Sequence, residues 1–344
     1  VEGYPGAEIR GKTYAPALYS KEESETAFVT YNAEKFIRRP GAGPWFLHIS
    51  YLKPHRPYLA PEPYNRLYHP DDVPDFQRAS SPEEEAKQHP YLAYKLERSL
   101  NRGYYSASIY PRDERSMRQL RATYYGLITE VDENIGRIVA LLKETGQYEN
   151  TVIVFTSDHG VQLGDHHLVG QGPYFDQTFH VPLIIRAPDG ERQQQRGRVV
   201  EAFTENVDLL PTSLDIFGAD IPIQCDGRSL VSFLVGDTPE KFRTEVHWEV
   251  DFRYDGLGIG FDESSLNVIR DEHYKYVYFA AMPDLLFDLK KDPGELHNLA
   301  EDPTYRAVVL KYAQKLLSWR MVNDEHTLTH MLVGPKGVVE RPRC

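Results

Sequence analysis

The chain predicts an α/β fold with a smaller antiparallel unit at its C-terminal end. A β-branched apolar run, Thr151, Val152, Ile153, Val154 and Phe155, ends abruptly in Asp158, His159 and Gly160. A run this apolar reads as a strand buried on both faces, as in a mostly parallel sheet covered by helices. Leu120, Tyr124, Leu127, Val131, Ile135, Ile138 and Leu142 recur at intervals of three and four, so a long amphipathic helix is expected over 117–144, stopped by Gly146. After Lys241 short apolar runs near 245–249, 266–270, 274–279 and 285–289 follow one another without intervening helices, which implies an antiparallel sheet. A helix over 303–319 closes that unit. The expected division is therefore 1–240 and 241–344.

The remaining elements follow from local pattern. Residues through Ser20 are rich in Gly, Pro and Tyr and read as irregular. Ser24 and Glu25 open a helix whose Ala27, Phe28, Tyr31, Ala33 and Phe36 line one face. A strand is expected over 45–51, and the Pro-, Tyr- and charge-rich stretch 54–116 reads as a long ordered excursion of loops and short helices over a site. Strands over 182–186 and 199–203 and a helix over 207–217 complete an alternating order of strand and helix.

Composition narrows the function classes. With 344 residues and 41% hydrophobic content the chain can bury a substantial core. A formal net charge of −12 repels phosphate backbones and acidic lipid, so neither a nucleic-acid nor a membrane-surface partner is expected. A small anionic substrate fits better. Cys225 and Cys344 give no disulfide framework, no apolar run approaches a membrane span, and the opening Val1, Glu2, Gly3 is unlike a signal peptide. A cytoplasmic, reducing compartment is the simplest expectation.

Ligands of open α/β sheets gather at the carboxyl ends of strands, which is where Asp158 and His159 fall. A hard carboxylate oxygen beside a borderline imidazole nitrogen suits a divalent metal ion, with Mn²⁺, Zn²⁺ or Fe²⁺ better served than Ca²⁺ in an all-oxygen cage. Two ligands do not complete a site. His48 alternates with apolar neighbours and reads as a hydrogen-bonded core residue. His166 and His167 follow Asp165 in the same loop and serve either as support for the metal ligands or as structural hydrogen-bonding groups. His326 and His330, four apart in the tail, read as packing or subunit contacts, so a homo-oligomer built through the C-terminal tail is one expectation.

The run from Thr151 continues as Val161, Gln162, Leu163, Gly164, Asp165, His166, His167, Leu168, Val169, Gly170 and Gln171, then His180, Val181, Pro182. With Trp45 to Tyr58, Arg121 to Asp132, and Ser318, Trp319, Arg320 with Thr327 to His330, it closely resembles the sulfatase branch of the alkaline phosphatase superfamily, nearest to phosphonate monoester hydrolases that also cleave phosphodiesters. The resemblance implies an alkaline-phosphatase-like sandwich with a smaller C-terminal subdomain, and metal-dependent hydrolysis of phosphonate monoesters, phosphodiesters or sulfate esters. Mn²⁺ is the favoured ion, with Zn²⁺, Fe²⁺ or Ca²⁺ as alternatives. It also implies that His55 faces the leaving group; an imidazole, with an ordinary pKa of about 6.5, can protonate a departing alkoxide near neutral pH.

The departures are specific. Gln171 occupies the place of a family lysine that neutralises the substrate, and His180 a place where arginine is commoner. The family's nucleophile is a formylglycine made from Cys or Ser in a Cys-x-Pro-x-Arg or Ser-x-Pro-x-Arg segment, and none of the 344 residues reads so; Cys225, Asp226, Gly227 and Arg228 do not fit it. Two expectations follow: a chain forming the C-terminal two-thirds of such a hydrolase, with an apolar sheet edge left open to pairing, or a catalytically inactive sulfatase-like binding protein.

Overall fold

Ser24 accepts a hydrogen bond from the Ala27 amide at 3.1 Å and so starts the first helix, α1 (Glu25–Ile37), at the place the sequence indicates. This computed structural model describes residues 15–39, 41, 43–101, 113–188, 197–237, 239, 242–253, 257–323, 331–334 and 337–340. Beyond α1 come α2 (Pro82–Ala86), α3 (Pro90–Asn101) and the 31-residue α4 (Glu114–Glu144), whose N-terminus is capped by Asp113. The apolar stripe of α4 is buried as its periodicity requires. Leu120 and Leu127 pack with Tyr58, Tyr64 and Leu163, and Leu141 and Leu142 pack with Ile37 of α1.

The next elements are β1 (Ile153–Thr156), β2 (Gln162–Leu163), β3 (Val169–Gly170), α5 (Asp176–Phe179) and β4 (Leu183–Arg186). Two corrections to the sequence reading arise here. The sheet expected to be mostly parallel is, among the described residues, the antiparallel pair β1·β4, with Ile153 opposite Arg186 and Thr156 opposite Leu183. A parallel return needs a crossover, usually a helix, whereas this connection carries a small hairpin and one helical turn. Nor is the pair covered on both faces: Val154, Phe155 and Ile184 are 42, 36 and 62% exposed.

Residues 45–51 alternate in exposure at period two, as an extended segment does, but have no ladder partner among the described residues; His48 is exposed and is no core residue. The segment 199–203 likewise forms no strand, and Val199 is exposed. Helices α6 (Leu209–Ile216) and α7 (Val231–Leu234) follow, and Cys225 between them is half-buried. Phe46 meets Phe217 edge-on at 6.3 Å, extending the exposed apolar surface beside β1.

The C-terminal unit is the antiparallel meander β5 (Val246–Asp251), β6 (Ser265–Arg270), β7 (Tyr274–Phe279) and β8 (Leu285–Asp288), in sequence order across the sheet. Its inner strands read as continuous apolar runs because both faces are covered. Ile269, Tyr276 and Leu286 pack on Tyr312 and Leu316 of α8 (Arg306–Asn323), while Leu266, Val268, Val277 and Phe287 pack on Tyr91, Leu92 and Leu96 of α3 and on Tyr174 and Phe175. A hairpin, β9 (Met331–Gly334) and β10 (Gly337–Glu340), ends the described chain; His326, His330 and Cys344 lie outside the described residues. Among the described residues no helix is long and apolar enough to cross a membrane.

One polar contact ties the meander to the segment before β4. Lys275 of β7 is fully buried and pairs with both Asp176 and Glu295, while donating to the Tyr174 carbonyl at 3.1 Å. Arg270 reaches Asp176 at 3.2 Å. Burial opposes ionisation of Asp176, yet Lys275 and Arg270 outweigh it and hold this carboxyl below its ordinary range; burial raises that of Glu295. Removing the ammonium strands the buried carboxylate of Glu295 and leaves half-buried Asp176 to Arg270 alone, so Lys275→Met should lower the unfolding free energy by about 3–5 kcal/mol. Urea denaturation measures it, and a loss below about 1 kcal/mol, the worth of a surface pair, would contradict the clamp.

Candidate active site

The loop after β1 is held by its own polar groups. Thr156 Oγ1 donates to the Pro182 carbonyl at 2.9 Å, Ser157 Oγ to the His159 carbonyl at 2.8 Å, and the His159 amide to Asp158 Oδ1 at 2.9 Å. Asn206 Nδ2 braces the loop from outside, donating to the Ser157 carbonyl at 3.0 Å and to that of Asp158 at 3.4 Å. Gly160 then lies so close to α5 that a Cβ would sit 2.2 Å from the Gln177 carbonyl oxygen, while its amide donates to the Thr178 carbonyl at 2.6 Å. Only glycine permits that approach.

These contacts orient the two candidate ligands. His159 Nδ1 lies 2.8 Å from the Gly160 carbonyl, which can only accept, so the ring proton sits on Nδ1 and the Nε2 lone pair faces the site. That lone pair is 3.8 Å from Asp158 Oδ2 and accepts from Gln171 Nε2 at 2.7 Å. With metal–ligand distances of about 2.0–2.2 Å, donors this far apart can share one divalent ion. The Asp158 side chain is 87% exposed, so its second oxygen is accessible as well. Among the described residues no third His, Cys, Asp or Glu joins them in a metal cluster. The pair thus fits part of a coordination sphere, and Gln171 caps the nitrogen that would take part in it.

His55 arrives from the loop after residues 45–51. Its amide donates to the Leu52 carbonyl at 3.0 Å, and the buried Lys53 ammonium folds the next residues back by donating to the Pro57 carbonyl at 2.9 Å. His55 Nδ1 lies 2.7 Å from the Arg56 carbonyl, which again fixes the proton on Nδ1 and leaves Nε2 for exchange with a ligand. The ring meets that of His159 edge-on, with centroids 6.2 Å apart. The structure therefore brings together all four residues singled out in the sequence: His55, Asp158, His159 and Gln171.

The loop histidines have a different task. His166 is fully buried, stacks on Phe175 at 3.5 Å between centroids and lies 2.8 Å from Glu85, and His167 lies 2.9 Å from the Ala79 carbonyl. Both take positive φ, 51° and 54°, a conformation these non-glycine residues accept because the surrounding contacts fix them. They anchor the β2–β3 hairpin. Thr178 completes the frame: its Oγ1 accepts from the Gly172 amide at 2.8 Å, next to Gln171.

His159 and Gln171 border a cavity of about 370 Å³, whose other walls include Tyr91, Lys95, Thr178, Phe179, Asp251 and Phe252. Sequence reasoning passed over Asn206, Thr178 and Lys95. Asn206 and Thr178 act through backbone contacts 49 and six residues away, and Lys95 is the lysine of a charged helix with no local sign that it borders a site.

The Sulfatase family pattern matches residues 4–219, well over half of the 344, and that of the N-sulphoglucosamine sulphohydrolase C-terminal region matches 164–322. The protein belongs to the sulfatase family. Its architecture is the alkaline-phosphatase-like one: the phosphonate monoester hydrolase of Agrobacterium radiobacter is 41% identical and superposes with a TM-score of 0.89 over 99% of this chain and 68% of its own. That of Silicibacter pomeroyi is 37% identical, with a TM-score of 0.86 over 96% and 66%. The multifunctional alkaline phosphatase superfamily protein PehA of Trinickia caryophylli is 44% identical over 97% of this chain and 66% of its own length. The chain thus spans about two-thirds of the relatives it matches.

If Asp158 and His159 form a chelating pair, isothermal titration with Mn²⁺ should give weak binding that disappears in Asp158→Ala. Gln171→Ala, which uncovers Nε2, should bind Mn²⁺ at least as tightly as the wild type. Equal affinity of Asp158→Ala and wild type would remove the pair from the metal assignment.

Proposed function

We propose that this chain supplies the metal-binding and leaving-group side of an active site that hydrolyses phosphonate monoesters and phosphodiesters. The observation that carries the reading is the edge-on packing of His55 against His159, with Asp158 Oδ2 3.8 Å from His159 Nε2. A proton donor thereby stands beside a cation site, which is what cleavage of an ester with a poor leaving group requires. When bound, a divalent ion, Mn²⁺ being favoured, supplies Lewis-acid polarisation of the ester. His55, its Nδ1 committed to the Arg56 carbonyl, presents Nε2 as the atom that hands a proton to the departing alkoxide. Gln171 donates a neutral hydrogen bond where the family resemblance implies a cation.

Identity to two phosphonate monoester hydrolases at 41 and 37% favours phosphorus over sulfur esters; an arylsulfatase of Clostridium perfringens, 29% identical over 91% of this chain, keeps sulfate esters as the second class. The small anionic substrate agrees with the absence of a family-type nucleophile from these 344 residues only if another segment provides one. An inactive binding protein is the competing reading, and Gln171 is the observation in its favour.

The test joins the N-terminal third of PehA ahead of Val1 and follows p-nitrophenyl phenylphosphonate with Mn²⁺. Turnover is expected, falling by about 10²–10⁴ in His55→Ala as for loss of a general acid. The chain by itself should stay at background. Turnover unaffected by His55→Ala would remove its assigned role, and none in the folded, metal-loaded fusion would favour the binding protein.

A further inference from the structure

Resting on the reading of Asp158 and His159 as a metal-binding pair, we infer that Asn206 is a positioning residue for that pair, itself set in place by Arg243 at the entry to β5. The Asp158 side chain is 87% exposed, so its carboxylate stands where the main chain puts it. The loop 157–160 therefore needs an anchor on each flank. On one flank the Gly160 amide donates to the Thr178 carbonyl at 2.6 Å. On the other, Asn206 Nδ2 donates to the Ser157 carbonyl at 3.0 Å and to the Asp158 carbonyl at 3.4 Å. Asn206 is exposed, and an exposed amide by itself makes a weak brace because water competes for the same carbonyls. What holds Asn206 decides whether the brace is firm.

Asn206 opens the short 3-10 turn Asn206–Asp208, and Asp208 at its other end is fully buried. The Asp208 carboxylate receives Arg243 Nη1 at 2.6 Å, Arg243 Nη2 at 2.9 Å, the Glu205 amide at 2.8 Å and the Arg228 amide at 2.8 Å. A carboxylate accepts at about four lone-pair sites, so this one is saturated and its direction is fixed. Glu205 adds the link to the sheet: its Oε2 pairs with Arg243 at 3.0 Å and its Oε1 accepts from the His247 amide of β5 at 2.9 Å. The packing leaves no slack on the far side either, since a Cβ on Gly227 would stand 2.0 Å from the Val207 carbonyl oxygen.

The ligand loop is thus registered twice against one meander. Lys275 of β7 acts through Asp176 and Thr178, and the edge of β5 acts through Glu205, Asp208, Arg243 and Asn206. The donor at 206 is specific, because both atoms that face Nδ2 are carbonyl oxygens and an acceptor in its place would repel them. The guanidinium at 243 is specific as well: a lysine keeps the charge but cannot hold both Asp208 oxygens and Glu205 with one planar fork.

Amide hydrogen exchange and Mn²⁺ titration of the full chain test this without any turnover. In Asn206→Ala and in Arg243→Lys the His159 and Gly160 amides should exchange about tenfold faster than in wild type, the worth of about one hydrogen bond, while the thermal melt of Asn206→Ala stays unchanged. Mn²⁺ affinity should fall by about tenfold in both, as for loss of a group that supports a metal ligand. Asn206→Asp separates positioning from charge. It removes the donor but adds a carboxylate near the cation, so positioning gives weaker Mn²⁺ binding where simple attraction gives tighter. Should Arg243→Lys not fold, the two Asn206 variants, at an exposed position, carry the test. Unchanged exchange in the folded variants, unchanged affinity where wild type binds Mn²⁺, or tighter binding by Asn206→Asp would overturn the inference. Faster exchange in the variants of a chain that binds no Mn²⁺ would sink the metal reading and leave the brace on the loop standing.

Discussion

The buried ammonium of Lys275 is the contact on which the geometry of the site rests. It joins the centre of the C-terminal meander to Asp176, the first residue of α5, and to Glu295 beyond β8. Two residues on, Thr178 holds the Gly160 amide through its carbonyl and the Gly172 amide through its hydroxyl. His159 precedes the first of those glycines and Gln171 the second. A charge cluster in one unit thereby sets the distance between His159 and Gln171 in the other. Such a cluster costs desolvation and contributes little net stability compared with an apolar core. What it adds here is a defined direction, since a carboxylate accepts from an ammonium along few lines and an apolar contact slides.

Both histidines of the site are prepared in the same way. Each gives Nδ1 to a backbone carbonyl of the next residue, Gly160 for His159 and Arg56 for His55, so the exchangeable nitrogen of both is Nε2. The two then differ by environment. His159 is drawn against Asp158 and Gln171, while His55 stands on an exposed loop with its ring edge toward His159. One fold device thus leaves Nε2 open on both rings in two different surroundings.

The surface beside β1 has a different character. Phe46, Val154, Phe155, Ile184, Leu210 and Phe217 are all exposed, where helices or further strands cover such residues in most α/β proteins. The C-terminal meander shows the alternative, with α8 on one face and α3 on the other. The meander is covered on both sides, and the β1·β4 pair is not.

Local pattern was enough for much of the chain. The spacing of Leu120, Tyr124, Leu127 and Val131 gave α4 to within a few residues, Ser24 gave the start of α1, and the apolar runs after Lys241 gave all four strands of the meander. Such features depend on near neighbours, so they are written in near neighbours. Asp158 and His159 were singled out because an ionisable pair closes an apolar strand, and His55 and Gln171 through likeness to a family; the structure places the four side by side. Strand direction and covering were not. Val152 to Phe155 is as apolar as a fully buried strand, and nothing in it states that β4 returns antiparallel or that one face lies open. Nor could sequence say that Asn206, 49 residues beyond Ser157, braces the ligand loop, that His166 turns away to Glu85, or that Lys95 of α3 borders the same cavity as His159. The amino-acid sequence by itself determined the chemical groups and the elements that carry them. The tertiary structure decided which of those groups meet, because contacts across 30 to 180 residues depend on how whole elements pack and no local signal records them.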